Sequence, residues 1–510
     1  MNVILLEHPR RPSWEHLNDV ANAPLSASLL TPYAAAVLRR AGHRVEVVEG
    51  HLGGLSAEAC AAAVAAARPD LVGVHLVYDW SDGRAVADLL ARIAGEAGGV
   101  PVVVYGFYPT FAWRDLLPRL PGVAAAVLGE PEATLVELAA AVAARPADLP
   151  GALLGVPGLA VACPDGPRQT RPRPLIRDLD ALPFPHRSPE LLGLREVNVA
   201  GSRGCYGACT FCTINPFYGP GSRWRPRSPG NVAAEIASVL EAHPHKRRFY
   251  FVDPNFFGPG RPGRERALAL ARLIRERFEI RFGLEGRVND IDEEVVGALA
   301  GAGFDEILIG LESGSDGTLR RLNKGTTVEQ NRRALRVLRA HGVEPNVGFI
   351  MFEPGSTLED LRVNLAFLEE EGLLARLGIT ANVLYHQQIL LAGTPAYRAA
   401  RAAGVLVPSP HNPYEGRVPY RDPGVAFLAE TMAEVCRHVL AAVPPDAWGP
   451  ERERTDPALL ALNRHLVALF RGLLEGLASG RLRPSPAAAR EIVDDVRGLL
   501  RTAGLDREGP

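Results

Sequence analysis

Short apolar runs alternate with amphipathic stretches of helical period twice along this chain, a pattern that favours parallel sheets whose strands are joined by returning helices. In the first series the runs are 2–7 (NVILLE), 45–49 (VEVVE), 71–77 (LVGVHLV), 101–106 (PVVVYG) and 125–129 (AAVLG), with helices such as 32–41 and 83–95 between them. Runs that are apolar throughout indicate strands buried on both faces. Residues 1–150 are therefore expected to form a doubly wound, Rossmann-like parallel sheet, with its ligand beyond the carboxyl ends of the strands. Residues 151–190 are rich in Pro and Arg without sustained periodicity and read as a linker.

The second series has strands expected at 196–200, 248–253, 280–285, 306–311, 345–352 and 379–385, with helices near 230–242, 263–278, 292–300, 327–341 and 357–371. Six such units joined by right-handed crossovers curl into a partial (β/α)6 barrel over 191–400. From 401 to 510 the strand signal fades. Phe427–Ala442, Pro457–Leu477 and Ala487–Leu500 have helical periodicity, which predicts a small helical C-terminal domain.

The chemistry is concentrated after the first strand of the second series, in Gly204-Cys205-Tyr206-Gly207-Ala208-Cys209-Thr210-Phe211-Cys212. Three thiolates spaced C-x3-C-x2-C can hold three corners of an iron–sulfur cube and leave the fourth iron open to a substrate or cofactor. Zinc is the competing ligand, but a closed zinc site wants four ligands, and no fourth Cys or His lies nearby in the sequence. The other three of the six Cys, at 60, 163 and 436, are isolated, which suits a reducing cytoplasm better than a disulfide framework. Net charge is −2 over 510 residues, which argues against nucleic acid as the main partner. The first apolar run is too short for a signal peptide, and no stretch offers the roughly 20 apolar residues that span a bilayer, so a soluble, cytoplasmic protein is expected.

The triplet, with Phe211 just before its third Cys, resembles the signature of the radical S-adenosylmethionine (SAM) enzymes. The resemblance continues in order at later strand ends: Asp253 in Phe251-Val252-Asp253-Pro254-Asn255, Glu285 and Arg287 in Gly283-Leu284-Glu285-Gly286-Arg287, and Glu312 and Ser313 in Gly310-Leu311-Glu312-Ser313-Gly314. Further along stand Leu322-Asn323-Lys324-Gly325, Gly348–Thr357 and Ala392-Gly393-Thr394-Pro395. The resemblance implies a [4Fe-4S] cluster on Cys205, Cys209 and Cys212, with SAM held beside Phe211 by Asp253, Glu285, Arg287, Glu312 and Ser313. Each of these polar residues also has an ordinary reading as a helix cap or ion pair.

In the first series, Gly129-Glu130-Pro131-Glu132, Tyr105-Gly106-Phe107-Tyr108-Pro109 and the linker's Asp178–Pro185 look like the cobalamin-binding class of these enzymes. The D-x-H-x-x-G loop that lends a His to cobalt in other B12 proteins is absent. Glu7-His8-Pro9-Arg10-Arg11 stands there instead, so the lower face of cobalt is expected to rest on other side chains. Tyr78 and Trp80 are the candidates for that face, with His8 and His75 as alternatives, and Gly73, Gly106, Gly129 and Glu130 are expected along the corrin. A Rossmann-like scaffold without its cofactor is the competing reading. No G-x-G-x-x-G follows the first strand, which disfavours a dinucleotide.

Tyr385, His386 and Tyr414 are the candidate substrate contacts, the last within a lid-like segment at 411–420. The resemblance implies a C-methyltransferase of a small-molecule intermediate, using a 5′-deoxyadenosyl radical, methylcobalamin and an external electron donor such as flavodoxin or ferredoxin. The alternatives are rearrangement or ring formation with the same cofactors, and a non-catalytic iron–sulfur carrier or corrinoid module. The substrate, the carbon attacked and the oligomeric state are not encoded in these motifs.

Overall fold

A computed structural model describes residues 1–9, 25–77, 84–219, 223–409, 414–443, 450–503 and 505. The first sheet comprises β1 (Asn2–Glu7), β2 (Arg44–Glu49), β3 (Leu71–His75), β4 (Val102–Tyr105) and β5 (Val123–Val127), all parallel, in the order 2-1-3-4-5. Helices α1 (Leu30–Arg40), α2 (Ala57–Ala66), α3 (Arg84–Glu96), α4 (Phe107–Leu116) and α5 (Glu132–Ala143) cover its faces. Every residue of β3 and β4 is buried, which explains why their sequences are apolar without alternation. The order reverses between β1 and β3, and a crevice opens at the carboxyl ends of strands at such a point.

The sheet does not stop at residue 150. After α6 (Leu149–Leu154), β6 (Leu159–Val161) and β7 (Arg168–Gln169) add to β5 antiparallel, so the first part of the expected linker is an edge of the sheet. The strands are three and two residues long, too short to register as periodicity.

The second sheet is formed by β8 (Val197–Val199), β11 (Arg248–Phe251), β12 (Arg281–Arg287), β13 (Phe304–Glu312) and β14 (Glu344–Phe349), parallel, in the order 14-13-12-11-8. The short pair β9 (Ser202–Arg203) and β10 (Arg225–Pro226) flanks α7 (Ile214–Tyr218). Helices α8 (Pro229–Ala242), α9 (Gly260–Arg277), α10 (Glu293–Ala300), α11 (Asp316–Arg321), α12 (Val328–Ala340) and α13 (Leu358–Glu370) lie outside. Thr327 with Gln330 and Thr357 with Asp360 form capping boxes that start α12 and α13. Phe249, Phe251, Phe256, Phe282 and Phe304 lie buried between sheet and helices, where truncating one ring costs about 3–5 kcal/mol.

The sixth strand expected at 379–385 is a helix, α14 (Leu377–Tyr385). Its β-branched residues resemble a strand, but its buried side chains Leu377, Ala381, Val383 and Leu384 join the core that the C-terminal helices share. Tertiary packing overrides local preference there. After α15 (Pro395–Ala402) come the C-terminal helices, α16 (Pro423–Ala442), α17 (Pro450–Thr455), α18 (Pro457–Ala478) and α19 (Pro486–Thr502).

The two sheets meet through a buried ionic joint. Arg203 pairs with Glu130 at 2.8 Å and Glu132 at 2.5 Å, and Arg225 reaches Glu130 at 3.0 Å. Phe107 of α4 stacks on Phe217 of α7 with centroids 4.0 Å apart.

Candidate active site

The three cysteines sit on the loop between β9 and α7, where a parallel sheet of this kind places its active groups. The loop is held at many points. Asn215 accepts from the Cys205 amide at 3.2 Å and donates to the Gly207 carbonyl at 2.6 Å. The Thr210 amide donates to the Leu322 carbonyl at 2.9 Å, and Asn323 donates to the Ala208 carbonyl at 2.7 Å. A side chain on Gly207 would displace the Arg287 guanidinium, so the glycine lets loop and β12 approach closely with that guanidinium in place.

That guanidinium donates to the Cys209 sulfur at 3.3 Å and also bonds the Lys324 carbonyl. Although burial opposes its charge, the neighbouring Cys209 and Cys205 hold the Arg287 pKa above the usual guanidinium value. Burial pushes the Cys205 thiol up, and burial followed by the charge of Cys209 pushes Cys212 to about 12. Metal binding must therefore displace protons from these two thiols. Among the described residues no three His, Cys, Asp or Glu side chains close round a single metal ion. Three thiolates on one cube each take a different iron, and the C-x3-C-x2-C loop supplies three such donors and no fourth.

The thiols open onto a cavity of about 900 Å³ between the two sheets. Phe211, Glu285, Arg287, Glu312, Lys324 and His386 line it from the second domain, and Phe111 of α4 lines it from the first. Glu312 and Lys324 form a buried ion pair at 2.7 Å. Glu312 adopts φ +65° at a bulge in β13, and its carboxylate lies over the bare backbone of Gly310 and Gly348. Strand-end groups beside the thiols, over glycines that leave room, suit the amino, carboxylate and ribose groups of SAM. Burial lowers the His386 pKa to about 4, which leaves a neutral imidazole in the cavity wall. Burial, then the charge of Asp253, raises Glu285 to about 8.

Several residues expected at the site are turned elsewhere. Asp253 does not line the cavity. Its carboxylate accepts from the Gly201 amide at 2.7 Å and the Ser202 hydroxyl at 2.6 Å, so it braces the start of the cluster loop. Ser313 is buried and donates to Asn364 at 2.7 Å. Tyr385 is buried in the core beneath the C-terminal helices, away from the cavity wall. Tyr414 is also fully buried. It packs edge-on to Tyr108 and stacks on Phe111 with centroids 5.8 Å apart, so it buttresses the wall without lining it. Residues 411–413, the part of the expected lid before it, lie outside the described residues.

The loops after β1 and β3 include residues 10–24 and 78–83, which also lie outside the described residues and contain Tyr78 and Trp80. At the carboxyl ends of the two strands Glu7, Thr31, His75 and Tyr105 form a buried polar group. His75 Nδ1 lies 2.8 Å from Glu7, its ring stacks on Tyr105 at 5.2 Å, and the Thr31 and Tyr105 hydroxyls are 2.6 Å apart. The His75 Nε2 atom is buried with no hydrogen-bond partner among the described residues, a polar atom at the switch point that suits an amide-bearing corrinoid. Gly106 has φ +115°, and a side chain there would strike the Leu76 carbonyl and His75. Gly73 packs under Leu5 and Tyr105, and Gly129, with φ +74°, faces the Phe217 carbonyl. These three glycines allow close packing within the protein. Glu130 spends its carboxylate on Arg203, Arg225 and the Ile176 amide, which makes it part of the joint between domains.

Sequence reasoning gave no role to Lys324, Asn215 or Asn323. Lys324, one of only two lysines in the chain, was the available signal.

The family model for the radical SAM superfamily matches residues 199–368, and that for the B12 binding domain matches residues 29–139. An uncharacterized methyltransferase of Pyrococcus horikoshii is 27% identical over 72% of this chain and 78% of its own length. An anaerobic magnesium-protoporphyrin IX monomethyl ester cyclase of Synechocystis is 27% identical over 59% of this chain and 60% of its own length. The fold matches that of OxsB, a cobalamin-dependent S-adenosylmethionine radical enzyme solved with aqua-cobalamin and S-adenosylmethionine bound. The TM-score is 0.73 with 20% identity, covering 99% of this chain and 79% of that one. This chain thus joins a B12-binding domain to a radical SAM domain and belongs to the cobalamin-binding radical SAM enzymes, whose cofactors are a [4Fe-4S] cluster, SAM and cobalamin.

Proposed function

We propose that this protein is a C-methyltransferase that methylates an unactivated carbon of a small-molecule intermediate. One observation carries the reading: the three cluster thiols, the Glu312–Lys324 pair and the α4 face of the B12-binding domain share one cavity, so both methyl source and radical source can act on one bound substrate. When bound, the cluster and SAM supply the radical that removes a hydrogen atom, and methylcobalamin supplies the methyl group. The chain's own work is positional. Cys205, Cys209 and Cys212 hold the cluster, Arg287 offsets its charge, and Glu312 and Lys324 orient SAM. Phe111 and Phe211 exclude water from the cavity. His386, neutral and facing the cavity, is the substrate contact that remains from the three expected.

The methyltransferase name of the Pyrococcus relative supports methyl transfer. The cyclase name of the Synechocystis relative favours a second reading, ring formation with the same cofactors. An external donor such as flavodoxin or ferredoxin would supply the electron. Among the described residues no helix is long and apolar enough to cross a membrane, and we place the enzyme in the cytoplasm. Mass spectrometry of the corrinoid decides between the readings after anaerobic reconstitution with hydroxocobalamin, reductant and methyl-labelled SAM. Labelled methylcobalamin on the protein supports methyl transfer, and bound corrinoid that stays unlabelled supports ring formation.

A further inference from the structure

Because the second sheet ends in a helix where a sixth strand was expected, the barrel is open along one side, between edge strands β8 and β14. Helix α14 stands across the gap, and a second cavity of about 670 Å³ fills it. The two cavities adjoin, since Leu25, Leu308, Val347 and Asn382 line both. Beside the lower cavity, Glu196 and Glu306 keep 34% and 32% of their side chains exposed, so it reaches solvent. Its floor is the Arg376–Glu453 pair at 3.3 Å. The two cavities therefore border one another inside the barrel, across these four residues.

The cations along this path are engaged, beginning with Arg398 at the cavity's rim, which is held by the Gly393 carbonyl. Arg287 is held by Cys209 and the Lys324 carbonyl, and Lys324 by Glu312. Arg248 is shared among Glu196, Asp305 and Glu306, and Arg376 is held by Glu453. Glu285 is the exception among the carboxylates. It lines the upper cavity from β12 and has neither an ion pair nor a side-chain hydrogen bond among the described residues, and the charge acting on it is the negative one of Asp253. Asn382, at the junction, likewise has its side-chain amide unengaged among the described residues. Burial and Asp253 hold this carboxyl in its neutral form, and a cation placed beside it by a ligand would favour the ionised carboxylate.

We propose that the substrate is an elongated molecule bearing a basic amine, that its arm away from the reacting carbon lies in this lateral passage past Asn382, and that Glu285 receives the ammonium group. The proposal rests on the small-molecule reading given above and adds the substrate class. Carboxylates at Glu196 and Glu306 favour the same charge at the solvent end of the passage.

The test uses the full-length, anaerobically reconstituted protein and titrates it with 1,5-diaminopentane, 1,5-pentanediol and glutarate, which are similar in length and differ in charge. The diamine should bind at least about tenfold more tightly than the other two, and Glu285→Gln and Asn382→Leu should each weaken it by about tenfold. Iron content and circular dichroism of each variant establish that it has folded. Equal binding of the diol, tighter binding of glutarate, no binding of the diamine, or an unchanged affinity in folded Glu285→Gln would each overturn the proposal. Methyl loading of cobalamin is read in the same wild-type samples. Loading without diamine binding sinks the amine proposal alone, whereas diamine binding without loading sinks the methyl-transfer reading alone.

Discussion

Replacing Lys324 by Met removes one half of an ion pair whose side chains keep only 5% and 10% exposure, while leaving the chain's bulk in place. Glu312 is then a buried carboxylate over Gly310 and Gly348 with no cation beside it. Breaking such a pair costs about 3–5 kcal/mol, most of it the penalty for the stranded charge. For a domain of this size each kcal/mol lowers the melting temperature by about 2–4 °C, so a loss of about 6–12 °C is expected at the lower end of that range. Thermal melts of the cluster-free protein measure it. The double variant Glu312→Gln/Lys324→Met, which strands no charge, should recover at least half of the loss. A single variant as stable as the wild type, or a double variant less stable than either single one, would refute the argument that this pair is buried and mutually dependent. Both changes should abolish SAM binding, because the same two groups line the cofactor's cavity.

Four further outcomes follow from the same geometry. Arg287→Leu removes a buried cation 3.3 Å from the Cys209 sulfur and should lower the cluster's reduction potential by on the order of 100 mV, read by redox titration with electron paramagnetic resonance. Gly207→Ala should reduce iron content after reconstitution, because the added methyl collides with Arg287, whereas Gly230→Ala, with nothing within 4 Å, should not. Asp253→Asn should also lower iron content by loosening the start of the cluster loop, while the fraction that retains its cluster keeps its SAM affinity within about twofold. Glu285 has its pKa raised from 4.5 to about 8 by burial and then Asp253, so its neutral form is favoured in the folded state and stability falls as pH rises through that range. Glu285→Gln removes this dependence and should become progressively more stable than the wild type between pH 5 and pH 8 in thermal melts.

Much of this arrangement could be read from the sequence because its signals are local. The strands of the first sheet are continuous apolar runs, and the cluster loop is a short motif whose three thiols share one segment. What could not be read depends on partners distant in the chain. Residues 379–385 have the composition of a strand and become helical because α16 and α18 cover them. Asp253 and Ser313 stand at strand ends, as cofactor ligands do, yet Gly201, Ser202 and Asn364 take their hydrogen-bonding capacity. Glu130 belongs to a motif of the B12-binding domain, but arginines some 70 to 95 positions away claim its carboxylate. Tyr414 looked like a lid residue because its neighbours are polar, and it is buried by Tyr108 and Phe111 from the first domain. Strand-end position thus located the site, and competition for hydrogen bonds decided which groups face into it.

The central claim is that cobalamin and cluster-bound SAM meet over a single cavity between the two domains. The most direct measurement is anomalous X-ray diffraction at the iron and cobalt edges from anaerobic crystals of the reconstituted protein. An iron peak on Cys205, Cys209 and Cys212, with a cobalt peak beyond the carboxyl ends of β1 and β3 facing the same cavity, is the predicted result. Zinc on the thiols, or cobalt absent or bound away from that cavity, would contradict the account.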